Sequence, residues 1–183
     1  MSKVEVDVLR SAIVLSSAGL DAAMKRLVND VGRVLAAQEG TGARRQFEEY
    51  LKMQMTEPRP SDGFRSAVLS IDVADRLLSV YLADKTKASF QGSSDLKKRV
   101  RQTLGISNSA VPDASLTALD EFFRARNKIA HEMDLNAPDT ESIARVHRKS
   151  DTVAEQCTQV FEVGAALIRG AAEQCNAAGT RKK

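Results

Sequence analysis

The stretch VDVLRSAIVLSSAGLDAAMKRLVNDVGRVL, residues 6–35, decides the fold class. Its apolar residues Val6, Leu9, Ile13, Leu20, Leu27, Val31 and Val34 recur at threes, fours and sevens, which is the period of an amphipathic helix and not the alternation of a strand. One long first helix is predicted. Gly40, Thr41 and Gly42 end it, and residues 44–55 read as a second helix that buries Phe47, Leu51 and Met55. Pro58, Pro60 and Gly63 mark residues 56–63 as a surface loop.

The same reading runs to the C-terminus. Val68, Ile71, Leu78 and Leu82 mark a third helix over residues 66–83, with Asp72 and Arg76 as an i,i+4 pair on it and Tyr81 and Phe90 covering its end. Residues 95–104 read as a short amphipathic helix with Leu96, Val100 and Leu104 inside. Asp113 is the expected N-cap of a helix carrying Leu116, Leu119, Phe122, Phe123, Ile129 and Met133 and ending near Asp134. Asp139 or Thr140 then caps a last helix over residues 141–175, whose inner face holds Ile143, Val146, Val153, Cys157, Val160, Phe161, Gly164, Leu167, Ile168 and Ala171. The expected architecture is all-α: a bundle of about four long helices with one or two short ones, forming a single domain over residues 1–176. A flexible basic tail, residues 177–183, follows.

Composition agrees with a helical domain and excludes several function classes. With 183 residues, 43% hydrophobic and 28% charged, the chain is long enough for one core, and its 4% aromatic content disfavours an all-β sandwich. No window approaches the ~18 apolar residues of a membrane span, and Lys3, Glu5 and Asp7 are unlike a signal peptide, so a cytoplasmic protein with no membrane partner is expected. Cys157 and Cys175 share the last predicted helix, about 27 Å apart at a 1.5 Å rise per residue, too far for a disulfide. Neither they nor His131 and His147 have zinc-ligand spacing, so no metal site and no cofactor are expected. The net charge of +3 neither requires nor opposes a nucleic-acid partner.

Chemistry concentrates in Phe122-Phe123-Arg124-Ala125-Arg126-Asn127-Lys128-Ile129-Ala130-His131-Glu132. Arg126 falls four residues after Phe122 and three before Ile129, so a guanidinium sits on the stripe that otherwise faces the core. His131 is four residues beyond Asn127, on the same side one turn later, and the three polar groups are expected to converge near the helix end. Periodicity leaves two readings open. In one, Arg126 pairs with a buried acid and His131 only complements the helix dipole; in the other, the group is a catalytic or binding site. Asp21, on an inward edge of the first helix, is the acid expected to pair with Arg126, either structurally or to fix it for phosphate. The run Lys97, Lys98, Arg99 and Arg101 is either a solvated face or a guide for RNA phosphates. His147, inside Arg145-Val146-His147-Arg148-Lys149, reads as a solvated surface residue.

Arg-Asn-three residues-His beside an aromatic pair, on the penultimate long helix of an all-α chain, resembles the HEPN superfamily of nucleotide-binding helical domains. Arg10-Ser11-Ala12-Ile13-Val14-Leu15 followed by Leu20-Asp21, together with Phe90-Gln91 and Leu104-Gly105-Ile106, is similar to the subgroup called RiboL-PSP-HEPN, in which an acidic residue commonly occupies the Asp21 position. This resemblance implies a metal-independent endoribonuclease of toxin–antitoxin or antiphage systems, acting on RNA as a homodimer whose motif helices meet in one cleft. An antitoxin or other defence-system protein would be a further partner. It assigns Arg126 to the family arginine, Asn127 to the polar residue after it and His131 to the family histidine. A histidine side chain titrates near neutrality and can move the 2′-hydroxyl proton, and an arginine can hold the phosphate bidentately. One histidine per chain for two proton transfers is the mechanical argument for a two-fold site. The alternative implied function is a non-catalytic HEPN module that binds nucleotide, RNA or a partner protein within a larger complex.

Overall fold

The computed structural model describes residues 3–138 and 143–180. It is all-α, with one isolated antiparallel bridge, Leu135 to Arg145, as the only β pairing among the described residues. In chain order the helices are α1 (Lys3–Ala36), α2 (Gly42–Thr56), α3 (Asp62–Val68), α4 (Val73–Thr86), α5 (Ser93–Asp95), α6 (Asp113–Thr117), α7 (Asp120–Glu132) and α8 (Ser150–Thr180). A π-helical stretch, Leu96–Arg101, continues directly from α5.

α1 is the hub: it packs against α2, α4, α7 and α8. Ile13, Leu20, Met24 and Val28, spaced by four or seven residues, are all buried and join Leu78, Tyr81, Leu96, Val100, Leu116, Phe122, Val160 and Leu167 in one continuous core. Burying a side chain of this size contributes about 1.5–3 kcal/mol, so the shared face of α1 orders its four neighbours around it. Thr41 caps α2 by accepting the backbone N–H of Arg44 at 3.0 Å, and Ser61 caps α3 by accepting that of Phe64 at 3.2 Å.

Several predicted boundaries move. The helix expected over residues 66–83 is two helices that pack on each other, because Phe64 and Ala67 supply the inward face of α3, while Leu69 and Ile71 are exposed in the turn between them. Asp72 precedes α4 and accepts the Arg76 amide through its backbone carbonyl, and the two side chains form no ion pair. Met55, expected inside, is exposed at the end of α2. The predicted penultimate helix bends at Ala118 and Leu119 into α6 and α7. Pro112 takes the cap position expected for Asp113, whose carboxylate instead binds Lys97 and Arg101.

The last helix begins at Ser150. Residues 143–149 are not helical, because Asn136 N–H bonds to Ala144 C=O and Val146 N–H to Asp134 C=O, both at 2.8 Å, holding this segment against the exit of α7. Ile143 is consequently exposed, and so are Phe161 and Ile168 farther along. The predicted caps Asp139 and Thr140 lie outside the described residues. The chain expected to be a flexible tail is helical through Thr180, since Ala178 packs on Leu35 and Ala43 where α1 ends and α2 starts.

Gly105 closes the turn after the π-helical stretch with φ +67, and a Cβ there would lie 2.7 Å from Ala43 N and 2.9 Å from Gly42 Cα. Those neighbours are backbone and cannot swing aside. Gly105→Ala is therefore expected to cost at least about 1–2 kcal/mol from the left-handed backbone alone, read as a lowered denaturation midpoint.

Candidate functional site

α7 carries Phe122 and Phe123 into the core and places Arg126 and Ile129 half-buried on the following turns. Arg126 thus lies on the inward side, as its spacing requires. Its Nε is fully buried and has no hydrogen-bond partner, and its Nη1 donates to Asn127 Oδ1 at 2.9 Å. No carboxylate lies within ion-pair distance of it among the described residues. A buried donor of a charged group left without an acceptor costs free energy of about 1–3 kcal/mol or more, so an anionic acceptor at this position would be favourable.

Asp21 is not that acceptor. Its Oδ1 accepts the Phe90 amide at 2.8 Å and its Oδ2 pairs with Lys25 at 2.8 Å, which ties α1 to the segment after α4. The supporting role expected of Asp21 toward Arg126 is therefore corrected: an i,i+4 lysine and a backbone N–H satisfy the carboxylate first. His131 stands exposed in the last turn of α7, and its side chain makes no hydrogen bond among the described residues. The structure joins Arg126 to Asn127, while His131, about 140° farther around the helix, stays apart from the arginine within one chain.

The basic run has structural duties. Arg99 donates to the carbonyls of Lys85 at 2.9 Å, Ser89 at 3.2 Å and Ala88, closing the C-terminal end of α4, and its guanidinium lies 4.5 Å from the Phe90 ring centroid. Arg101 is buried, donating to Val111 C=O at 2.7 Å and Asn108 Oδ1 at 3.0 Å and pairing with Asp113 at 2.6 Å. Lys97 pairs with the same aspartate. Of the four cations expected to guide RNA, Lys98 alone is exposed. The other three are corrected to loop-fastening residues, because backbone carbonyls and the Asp113 carboxylate take up their donors as phosphates in solution would.

What the sequence does not announce is the anchor beneath the motif. Met133 and Asp134, directly after α7, both have positive φ, 50 and 60, and the Asp134 amide closes the helix on Lys128 C=O at 3.0 Å. The Asp134 carboxylate is completely buried. It accepts Arg10 Nε at 2.8 Å, Arg148 Nε at 2.9 Å and Arg148 Nη2 at 2.6 Å. Burial works to raise its pKa, but the hydrogen bonds from Arg148 and Arg10 outweigh it and hold the carboxyl below the usual range. Arg10 also reaches Val146 C=O at 3.2 Å and Asp7 at 2.9 Å. The only sequence signal for this knot was a charged residue, Arg10, set beside inward-facing positions of the first helix.

Among the described residues no three His, Cys, Asp or Glu side chains are arranged to hold a metal ion, and no helix is long and apolar enough to cross a membrane. No family model, no curated protein and no solved structure matches the chain.

Proposed function

We infer that the chain is a metal-independent endoribonuclease of the HEPN type, acting in a toxin–antitoxin or antiphage setting as a homodimer. The observation that carries this reading is an arginine that is half-buried with no acid to compensate it, on the same helix as an exposed histidine whose side chain has no partner. Arg126, steadied by Asn127, offers donors to a phosphate and to the charge that grows on it during displacement. His131 takes the 2′-hydroxyl proton as the 2′-oxygen attacks phosphorus, or delivers a proton to the 5′-oxygen as the P–O5′ bond breaks. The products are a 2′,3′-cyclic phosphate and a 5′-hydroxyl. Because Arg126 and His131 point to different sides of α7, the reading needs two chains, each supplying one histidine to a shared cleft.

The nucleophile belongs to the substrate, so cleavage of total RNA is expected to continue in EDTA. A strand with 2′-deoxyribose or 2′-O-methyl at the scissile position is expected to resist. Loss of activity in EDTA with recovery in Mg²⁺, or equal cutting of the deoxy strand, rejects the mechanism. The non-catalytic module is the second reading, favoured by one observation: nothing among the described residues orients the His131 ring. RNA that is bound by the dimer and never cut would select it.

A further inference from the structure

We propose that Arg124 and Lys128 on α7, with Arg145, His147 and Lys149 on the segment that follows it, form a phosphate track along which single-stranded RNA reaches His131. The inference takes its ligand from the ribonuclease reading and replaces the run at residues 97–101 as the place where the strand lies.

Two periodicities carry it. On α7, Arg124, Asn127, Lys128 and His131 fall at i, i+3, i+4 and i+7, one continuous side of the helix opposite Phe122 and bordering Phe123, with Arg124 and His131 exposed and Asn127 and Lys128 half-buried. The second element is extended, and its residues alternate. Val146 and Arg148 are half-buried, Arg148 being held by the buried Asp134, while Arg145, His147 and Lys149 are exposed between them, about 6–7 Å apart at strand spacing.

Backbone hydrogen bonds fasten the second row at the exit of α7. Lys128 C=O accepts the Asp134 amide, and Asp134 C=O accepts the Val146 amide, so the outward row begins one residue either side of a bond made to the exit of α7. The ion-pair knot then fixes the segment in that place.

The cations are also available. Lys128, His147 and Lys149 have no side-chain partner among the described residues, and the pairs Arg124 with Glu121 at 3.6 Å and Arg145 with Asp7 at 3.4 Å are long and exposed. This differs from residues 97, 99 and 101, whose donors are already engaged. Apart from the exposed Ile143 at the head of the second row, both outward rows are polar or charged, whereas the centre of a protein-binding patch is enriched in aromatic and apolar groups. Phosphates are the better fit.

The test measures fluorescence anisotropy of a labelled 2′-O-methyl single strand, which the proposed chemistry does not cut, across a salt series. Changing Arg124, Lys128, Arg145 and Lys149 together to Gln is expected to make the slope of log affinity against log salt shallower by about 2.8, since each phosphate of a single strand that is no longer neutralised takes away about 0.7. Lys128→Gln alone is expected to remove about 0.7. Lys98→Gln is expected to change nothing, and all variants are expected to melt as the wild type does. An unchanged slope in the fourfold variant, an equal loss in Lys98→Gln, no strand binding by the wild type, or equally tight binding of polyglutamate overturns the track. Binding that follows the track without any RNA cleavage leaves the track standing and rejects the ribonuclease reading. Cleavage by a fourfold variant with wild-type binding does the reverse.

Discussion

Asp134→Ala is expected to lower the unfolding free energy by about 3–5 kcal/mol, because it removes the one carboxylate between two largely buried arginines, leaving Arg148 without an acid and Arg10 with only the exposed Asp7. Alanine also tolerates φ 60 less well than aspartate does, which adds to the loss. Asp134→Asn keeps the shape and the left-handed tolerance, so it isolates the charge and is expected to fall between wild type and alanine. The effect has a pH signature. The folded-state pKa of Asp134 is depressed, so its contribution is complete above the unfolded carboxyl pKa, about 3.9, and disappears as pH falls through the lower folded value. Denaturant titrations of wild type and Asp134→Asn are therefore expected to differ widely at neutral pH and to converge in acid below that range. Equal stability at neutral pH would show that the two arginines find other acceptors.

His131→Ala is expected to slow RNA cleavage by about 10²–10⁴-fold, the range of a general acid–base group, while stability stays within about 0.5 kcal/mol because the ring is exposed and unbonded. In cells the wild type is expected to arrest growth on expression and the variant to relieve the arrest. Arg126→Ala is expected to cost about 10²–10³-fold in rate. Its effect on stability is expected to be small, since no carboxylate among the described residues is orphaned by its removal. Asp21→Asn therefore offers no rescue, as Asp21 belongs to Lys25 and the Phe90 amide. Unchanged cleavage in His131→Ala, with the fold intact, would reject the proposed chemistry.

The legible parts of the sequence were those in which one period runs unbroken. Residues 6–35 predict α1 to within a few positions, and Leu96, Val100 and Leu104 are all fully buried as their spacing demands. Spacing failed where two helices in similar register are separated by a short turn. Val68 and Ile71 match the period of α4 and yet lie outside the core, and Ile143 and Val146 match α8 while belonging to an extended segment. Charge misled in a different way. Four basic residues in five suggest a solvated face, but the carbonyls at the end of α4 and the carboxylate of Asp113 come into reach of Arg99 and Arg101 only in the folded chain. At the candidate site, the inward position of Arg126 was readable from Phe122 and Ile129, whereas the missing acid leaves no trace in the spacing and the anchor at Asp134 joins Arg148, 14 residues on, to Arg10, 124 residues back.

The knot at Asp134 also orders events during synthesis. Arg10 is separated by 124 residues from Asp134 and by 136 from Val146, so the Arg10 arm of the knot closes only when these distant segments of the domain meet. A loop that long carries a high entropic threshold, which the packing of α1 against α8 must first overcome. On the ribosome, the motif helix emerges complete while Arg148 and α8 are still to come. A growing chain therefore displays Arg126 and His131 before it possesses the tie that sets their turn.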